Sequence, residues 1–187
     1  MAHLILVRHG QSEWNKLGKW TGYVDVGLTE QGIEEAKKAG EAIRGIDVHK
    51  VFTSALKRAH QTYDAMRETL GLSHDAIQDS ALNERHYGIY TGKNKWDMQK
   101  EVGDEEFHRI RRSWDYALPE GETLKDVHDR VVPYYREHIE SELGRGNNVL
   151  VVAHGNSLRA LVKHIENISD EEIPKLEIAT GEVYCYE

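Results

Sequence analysis

The 187-residue chain is 39% hydrophobic and 30% charged, long enough for one compact domain with a buried core and too balanced in composition to be disordered. It carries 24 Lys and Arg against 32 Asp and Glu, a formal net charge of -8, which excludes a generally basic nucleic-acid binder and at face value sits badly with an anionic substrate. No apolar run approaches the roughly 20 residues of a membrane span, no secretion signal opens the chain, and the single Cys185 excludes an intramolecular disulfide and fits a reducing cytoplasm.

No repeat, low-complexity tract or linker divides the sequence, so residues 1–187 read as a single domain. His3 to Val7 is a short apolar run that stops at Arg8-His9-Gly10, the pattern of a buried strand delivering polar residues at its C-terminal end. Thr29 can cap a helix whose apolar positions Ile33, Ala36, Gly40 and Ile43 recur at helical spacing, with Gly45 stopping it. Val48 to Thr53 predicts a second strand, and Ser54 caps a helix that Gly71 ends. Leu82 to Gly92 reads as loop, and 95–116 as two short, highly charged helices. After Gly121 a long helix carries Leu124, Val127, Val131, Tyr135, Ile139 and Leu143 on one face, with Pro133 expected to bend it. Arg145 to Asn148 is a turn, Val149 to Ala153 a fully apolar strand, and Ser157 to Glu166 a helix behind it. Val183 to Tyr186 is expected at a sheet edge. Strands alternating with helices predict an α/β fold, a three-layer sandwich with a mostly parallel central sheet flanked by helices.

Two segments share one grammar: an apolar strand, then His-Gly, then a turn or helix start. They are Leu6-Val7-Arg8-His9-Gly10 and Val152-Ala153-His154-Gly155-Asn156. Ligands of open α/β sheets bind beyond the carboxyl ends of strands, where both histidines fall. Glycine after each histidine lets backbone approach a ligand closely, and a following helix N-terminus favours an anion. Arg8 adds a planar cation that can fork onto phosphate oxygens. Either histidine alone reads as a strand-end residue bonded to the backbone; the pair, with Arg8 beside one of them, points to a phosphate site. The other histidines, among them His49, His60, His74, His108, His128, His138 and His164, read as surface or structural. Trp14, Trp20 and Tyr23 read as packing around the site, and no His or Cys spacing suggests a metal.

Arg8-His9-Gly10-Gln11-Ser12-Glu13-Trp14-Asn15 resembles the signature of the phosphoglycerate mutase branch of the histidine phosphatase superfamily. Further matching blocks follow in order: Trp20 to Tyr23, Asp25 to Thr29, Thr53 to Ala59, Leu82 to Gly88, Arg111-Arg112 and His154 to Lys163. The resemblance therefore spans essentially the whole chain and points to the cofactor-dependent mutases. It implies that His9 is the nucleophile carrying a phosphoryl group, with Arg8, Arg58, His154 and the backbone N–H of Asn156 stabilising the transfer. Glu84 is then the general acid and base, rather than a surface partner of Arg85. Asn15, Thr21, Gly22, Tyr87, Lys95, Arg111 and Arg112 are implied to bind the rest of the substrate, with Gly155 and Asn156 completing the set. The chemistry is coherent, since a neutral imidazole nitrogen can attack phosphorus in line and the protein's task is then positioning and charge stabilisation.

The implied reaction interconverts 3-phosphoglycerate and 2-phosphoglycerate in glycolysis and gluconeogenesis, through a phosphohistidine primed by 2,3-bisphosphoglycerate and without a metal. A phosphatase or a bisphosphoglycerate synthase is the alternative on the same site. A non-catalytic phospho-ligand module has no need of His9, Glu84 and His154 together. The implied partner is a small phosphorylated substrate, not nucleic acid or a membrane, and a homo-oligomer is left open. The chain departs from longer mutases in having few residues between Arg112 and the long helix, and in ending at Glu187 without the tail of many relatives. A shorter lid is expected to expose the phosphohistidine to water and raise phosphatase leakage. On this reading the cations surround a single carboxylate, Glu84, and the acidic excess lies on outer faces such as Glu30 to Glu41 and Asp170 to Glu172.

Overall fold

The computed structural model describes residues 2–187. Its centre is a five-stranded sheet of β1 (Leu4–Arg8), β2 (Lys50–Thr53), β3 (Ile77–Gln78), β4 (Val149–Ala153) and β5 (Val183–Tyr186), in the order β3-β2-β4-β1-β5. Pairing is parallel except for β5, which runs antiparallel to β1 at the edge. β4 is fully buried along its length, as its run of apolar residues requires of a central strand covered on both faces.

Alternate residues of the strands feed two cores. Leu4, Leu6, Val149 and Val151 pack under α6 (Leu124–Tyr134) and α8 (Gly155–Glu166). Ile5, Val7, Leu150 and Val152 face α2 (Glu30–Ala42) and α3 (Lys57–Leu70). These are the three layers expected. A third, smaller cluster of Trp20, Met98, Phe107, Ile110 and Leu118 is built on α4 (Lys95–Val102) and α5 (Asp104–Arg112). A short α1 (Glu13–Lys16) follows β1, and α7 (Glu140–Gly144) leads into β4.

Several boundaries differ from the sequence reading. β2 begins at Lys50 rather than Val48, and β3 was not expected, because two exposed residues leave no pattern to read. Ser54 does not cap α3: the cap position is Leu56, and the Ser54 hydroxyl turns toward His154 instead. Ile33 is 39% exposed, while Gly32, Ala36, Ala39 and Gly40 form the inner face of α2, which ends at Ala42 before Gly45. Thr123 caps α6 at Leu124, and the expected disturbance at Pro133 takes the form of a π-helical turn at Tyr135–Ile139. Gly71 ends α3 in the left-handed conformation, as expected. The loop at 82–92 is punctuated by one-turn helices at Ser80–Leu82 and Gly88–Tyr90.

Candidate active site

The sheet register brings the two strand-His-Gly segments together. Arg8 pairs with Ala153 in adjacent parallel strands, the His9 N–H donates to the Ala153 carbonyl at 3.0 Å, and the His9 and His154 rings lie 5.0 Å apart. Both rings are buried. The turn after His9 is held from two sides: the Gly10 N–H donates to Thr62 Oγ1 on α3, and the Gln11 N–H to Glu35 on α2. A Cβ on Gly10 would lie 2.0 Å from the Gly32 carbonyl oxygen, and one on Gly32 would lie 2.1 Å from that of Gln11. Only glycine at both positions allows this approach.

His9 Nδ1 lies 2.7 Å from the Gly10 carbonyl oxygen, which can only accept, so Nδ1 carries the proton and Nε2 keeps its lone pair. Burial, then Arg58 and Arg8, hold the His9 pKa well below the usual imidazole value, so the ring is neutral at pH 7. His154 is held low by burial, Arg58 and His9. Its Nε2 is 2.7 Å from Ser54 Oγ, which also accepts the Leu56 N–H. Ser54 thus ties the His154 ring to the start of the segment leading into α3. His154 Nδ1, like Arg8 Nε, is buried and has no protein partner. Two orphaned buried nitrogens beside a neutral imidazole mark a place that a polar ligand such as a phosphoryl group would satisfy.

The cations around them are fixed by backbone carbonyls. Arg58, 1% exposed, donates to the carbonyls of Gly22 and Val24, and burial lowers its pKa to about 10, so it stays charged. Arg8 donates to the Ile178 carbonyl. Glu84, 7% exposed, accepts the backbone N–H groups of Arg85 at 2.7 Å and Asn156 at 3.2 Å. Glu84 is no surface partner of Arg85, as the sequence reading expected: that guanidinium is turned to the carbonyls of Glu122 and Ile110. The Asn156 N–H, expected to face the transferring group, donates to Glu84.

Two adjoining lobes form one cavity. The inner lobe is lined by His9, Asn15, Thr21, Gly22 and Arg58, the outer by Arg111, Arg112, Gly155, Asn156 and Arg159, and both by Arg8, Trp20, Glu84, Tyr87 and Lys95. Every residue singled out from sequence therefore lines the cavity except His154, which is buried beside His9. Asn15 Oδ1 closes a capping box with Ser12, and Tyr87 accepts from Asn156 Nδ2 at 2.8 Å. The sequence of α5 explains the outer cations: acidic residues Asp104 to Glu106 occupy its first turn and Arg109, Arg111 and Arg112 its last, matching the helix dipole. Burial, then Arg111 and Arg8, lower the Lys95 pKa to about 8.

Four residues of the site were not found from sequence. Ser54 holds the His154 ring through its Nε2 at 2.7 Å. Arg130 donates to the carbonyls of Ala81, Asn83 and Glu84 and to the Glu122 carboxylate. Arg159 bonds Asn156 Oδ1 and the carbonyls of Arg112, Ile173 and Leu176. Glu177 pairs with Arg112, so the cations do not surround a single carboxylate. Ser54 and Arg159 lie inside recognised blocks, and a residue directly following a strand was a readable signal for Ser54. Arg130 and Glu177 carry no local signal. Among the described residues no group of three or more His, Cys, Asp or Glu is arranged to hold a metal, and no helix is long and apolar enough to cross a membrane.

Comparison with known proteins agrees with this geometry. A family model described as histidine phosphatase superfamily (branch 1) matches residues 4–187. A Mesorhizobium japonicum protein named 2,3-bisphosphoglycerate-dependent phosphoglycerate mutase is 50% identical, over 98% of this chain and 91% of its own length. A Lactobacillus johnsonii protein, named 2,3-bisphosphoglycerate-dependent phosphoglycerate mutase 1, is 43% identical over 214 aligned positions, covering 100% of this chain and 93% of its own, so it carries segments this chain lacks. Among solved structures, a mycobacterial glucosyl-3-phosphoglycerate phosphatase in complex with VO3 superposes with a TM-score of 0.86 at 25% identity, over 99% of this chain and 90% of that one. The chain belongs to branch 1 of the histidine phosphatase superfamily, in its 2,3-bisphosphoglycerate-dependent phosphoglycerate mutase family.

Proposed function

We propose that the protein interconverts 3-phosphoglycerate and 2-phosphoglycerate through a phosphohistidine at His9, as one catalytic domain acting in the cytoplasm on a small phosphorylated substrate. The observation that carries the reading is the outer lobe: Lys95, Arg111 and Arg112 add a second anion-binding region continuous with the His9 lobe. Removal of one phosphate needs only the first. Near-half identity to named mutases over nearly the whole chain, against 25% to the phosphatase, weighs the same way.

In this mechanism His9 Nε2 forms the bond to phosphorus while Nδ1 stays tied to the Gly10 carbonyl. Arg8, Arg58 and His154 take the charge that spreads over the equatorial oxygens. Glu84 accepts the proton of the attacking hydroxyl and returns one to the leaving oxygen. Asn15, Thr21, Gly22 and Tyr87 orient the substrate, and Lys95, Arg111 and Arg112 hold its far anionic end, with Gly155 and Asn156 closing the cradle. The orphaned Arg8 Nε–H and the second cationic lobe fit an anion with phosphates at two ends. When bound, 2,3-bisphosphoglycerate supplies the phosphoryl group that charges His9.

The test follows phosphorus by NMR with 3-phosphoglycerate, with and without a trace of 2,3-bisphosphoglycerate. Primer-dependent appearance of 2-phosphoglycerate is expected, with a small leak to free phosphate. Free phosphate as the main product would replace the mutase reading with a phosphatase one. His9→Ala should abolish both turnover and acid-labile phosphoenzyme.

A further inference from the structure

Of the three cations proposed to hold the far end of the substrate, Lys95 and Arg111 make no ion pair or hydrogen bond through their side chains among the described residues. Arg112 does. Its Nε and Nη2 both donate to one oxygen of Glu177, at 3.0 and 2.5 Å. These two donors form the edge of a guanidinium that forks onto a carboxylate or phosphate. The two partners are unequally buried: the Arg112 side chain is 17% exposed and that of Glu177 67%. The arginine is anchored, since its carbonyl accepts from the buried Arg159, while the glutamate stands at the rim, one residue before the Ile178 that lines the outer lobe. Arg112, before any other group, pulls the Glu177 pKa below the usual carboxylate range, so the pair is ionic at neutral pH.

We infer that Glu177 is an internal counter-anion that occupies Arg112 in the free protein and yields it to the far anionic group of the substrate. The inference rests on the reading of Arg112 as a substrate anchor. An exposed carboxylate can swing into water at little cost, whereas the partly buried Arg112, anchored through its backbone carbonyl, stays in place, so exchange is a side-chain movement and not a rearrangement of the fold. Before exchange Glu177 cancels one cation in a lobe where Lys95, Arg111 and Arg112 repel one another. During exchange it competes with the ligand, which sets the affinity lower than the cations alone would give. Glu177 thus acts through Arg112, as a residue that tunes binding without touching the reacting atoms.

The test is calorimetric titration of the dephosphorylated protein with 3-phosphoglycerate, which does not turn over without primer on the proposed mechanism. Glu177→Gln keeps the shape and removes the charge, and its Kd should fall about three- to fivefold, the size expected for release of one largely exposed ion pair. The gap should narrow as salt is raised. A structural role would weaken binding on substitution, so an unchanged or raised Kd overturns the inference. So does an equal gain from Glu172→Gln, a charge removed from an exposed pair with Lys175 outside the cavity, because the effect would then be one of net charge. Absence of primer-dependent turnover in the wild-type protein would sink the mutase reading while leaving a tighter Glu177→Gln complex to be explained as proposed here. Turnover with an unchanged Kd would do the reverse.

Discussion

His9 and Lys95 are pulled below their ordinary pKa values by similar surroundings, burial together with neighbouring arginines, and the consequences run in opposite directions. For His9 the shift is useful, because on the proposed mechanism the neutral ring is the nucleophile, and the lowered pKa keeps it neutral into mild acid. For Lys95 it is a liability, because the ammonium that holds an anion begins to lose its proton near pH 8. The folded pKa is lowered, so charge is present below about 8 and lost above it. KM for 3-phosphoglycerate should therefore rise above pH 8, by about tenfold for each further pH unit until the neutral form also binds measurably. Lys95→Arg keeps its charge and should flatten that limb in a KM–pH profile, even if its KM at pH 7 is higher. A rise that persists unchanged in Lys95→Arg would place the titrating group elsewhere. Glycine matters at the same scale: Gly10 and Gly32 were visible in the sequence, but the reciprocal backbone approach that requires them was not.

Among elements, the least regular one carries the proposed acid and base. The segment around Glu84 has no ladder to satisfy its carbonyls, and Arg130 of α6 does this for Ala81, Asn83 and Glu84 at 2.8 to 3.0 Å. Glu122 holds the guanidinium in turn, with burial opposed by its hydrogen bonds, and its carboxyl stays below the usual range. Arg130→Met should lower kcat about ten- to a hundredfold, the cost of a reactive group displaced by an ångström or so. Its effect on binding of 3-phosphoglycerate should be much smaller, since Arg111, Arg112 and Lys95 stand on other elements. Stability should fall too, so kinetics are to be read well below the melting temperature; a loss confined to KM would exclude the positioning role. This clamp was illegible in the sequence because Arg130 and Glu84 are far apart along the chain. The periodic elements were legible: α4 and α5 and the apolar β4 stand where composition and spacing predicted them, whereas β3 is too short to leave a period.

At the scale of the whole molecule the acidic excess and the cationic cavity are separated in space. Glu30, Glu34 and Glu41 are exposed on α2 and Asp170 to Glu172 on the segment after α8, while Arg8, Arg58, Lys95, Arg111 and Arg112 converge on one cavity. Glu35 is the exception on α2, turned inward to the turn that follows His9. The two buried neutral histidines also tie stability to pH. Their folded pKa values lie below the unfolded value of about 6.5, so their contribution is complete above that pH and lost as pH falls from there toward the folded values. Thermal unfolding should therefore move to lower temperature between about pH 6.5 and 5, before ordinary carboxylates titrate. A melting temperature flat over that interval would contradict the buried neutral state of both rings.

What the sequence determined by itself was the kind of site: strand ends bearing His-Gly, an arginine beside one of them, and an ordered series of blocks spanning the chain. These are local patterns, written in neighbouring residues, and a reader of the chain meets them directly. What only the tertiary structure decided was how the parts face one another. The pairing of Arg8 with Ala153 sets the two rings 5.0 Å apart, the Ser54 hydroxyl reaches the His154 ring, and Glu177 is delivered onto Arg112. Each depends on strand register or on contacts between residues distant in sequence. No period or composition encodes such contacts, because their energy is realised only when the chain has folded.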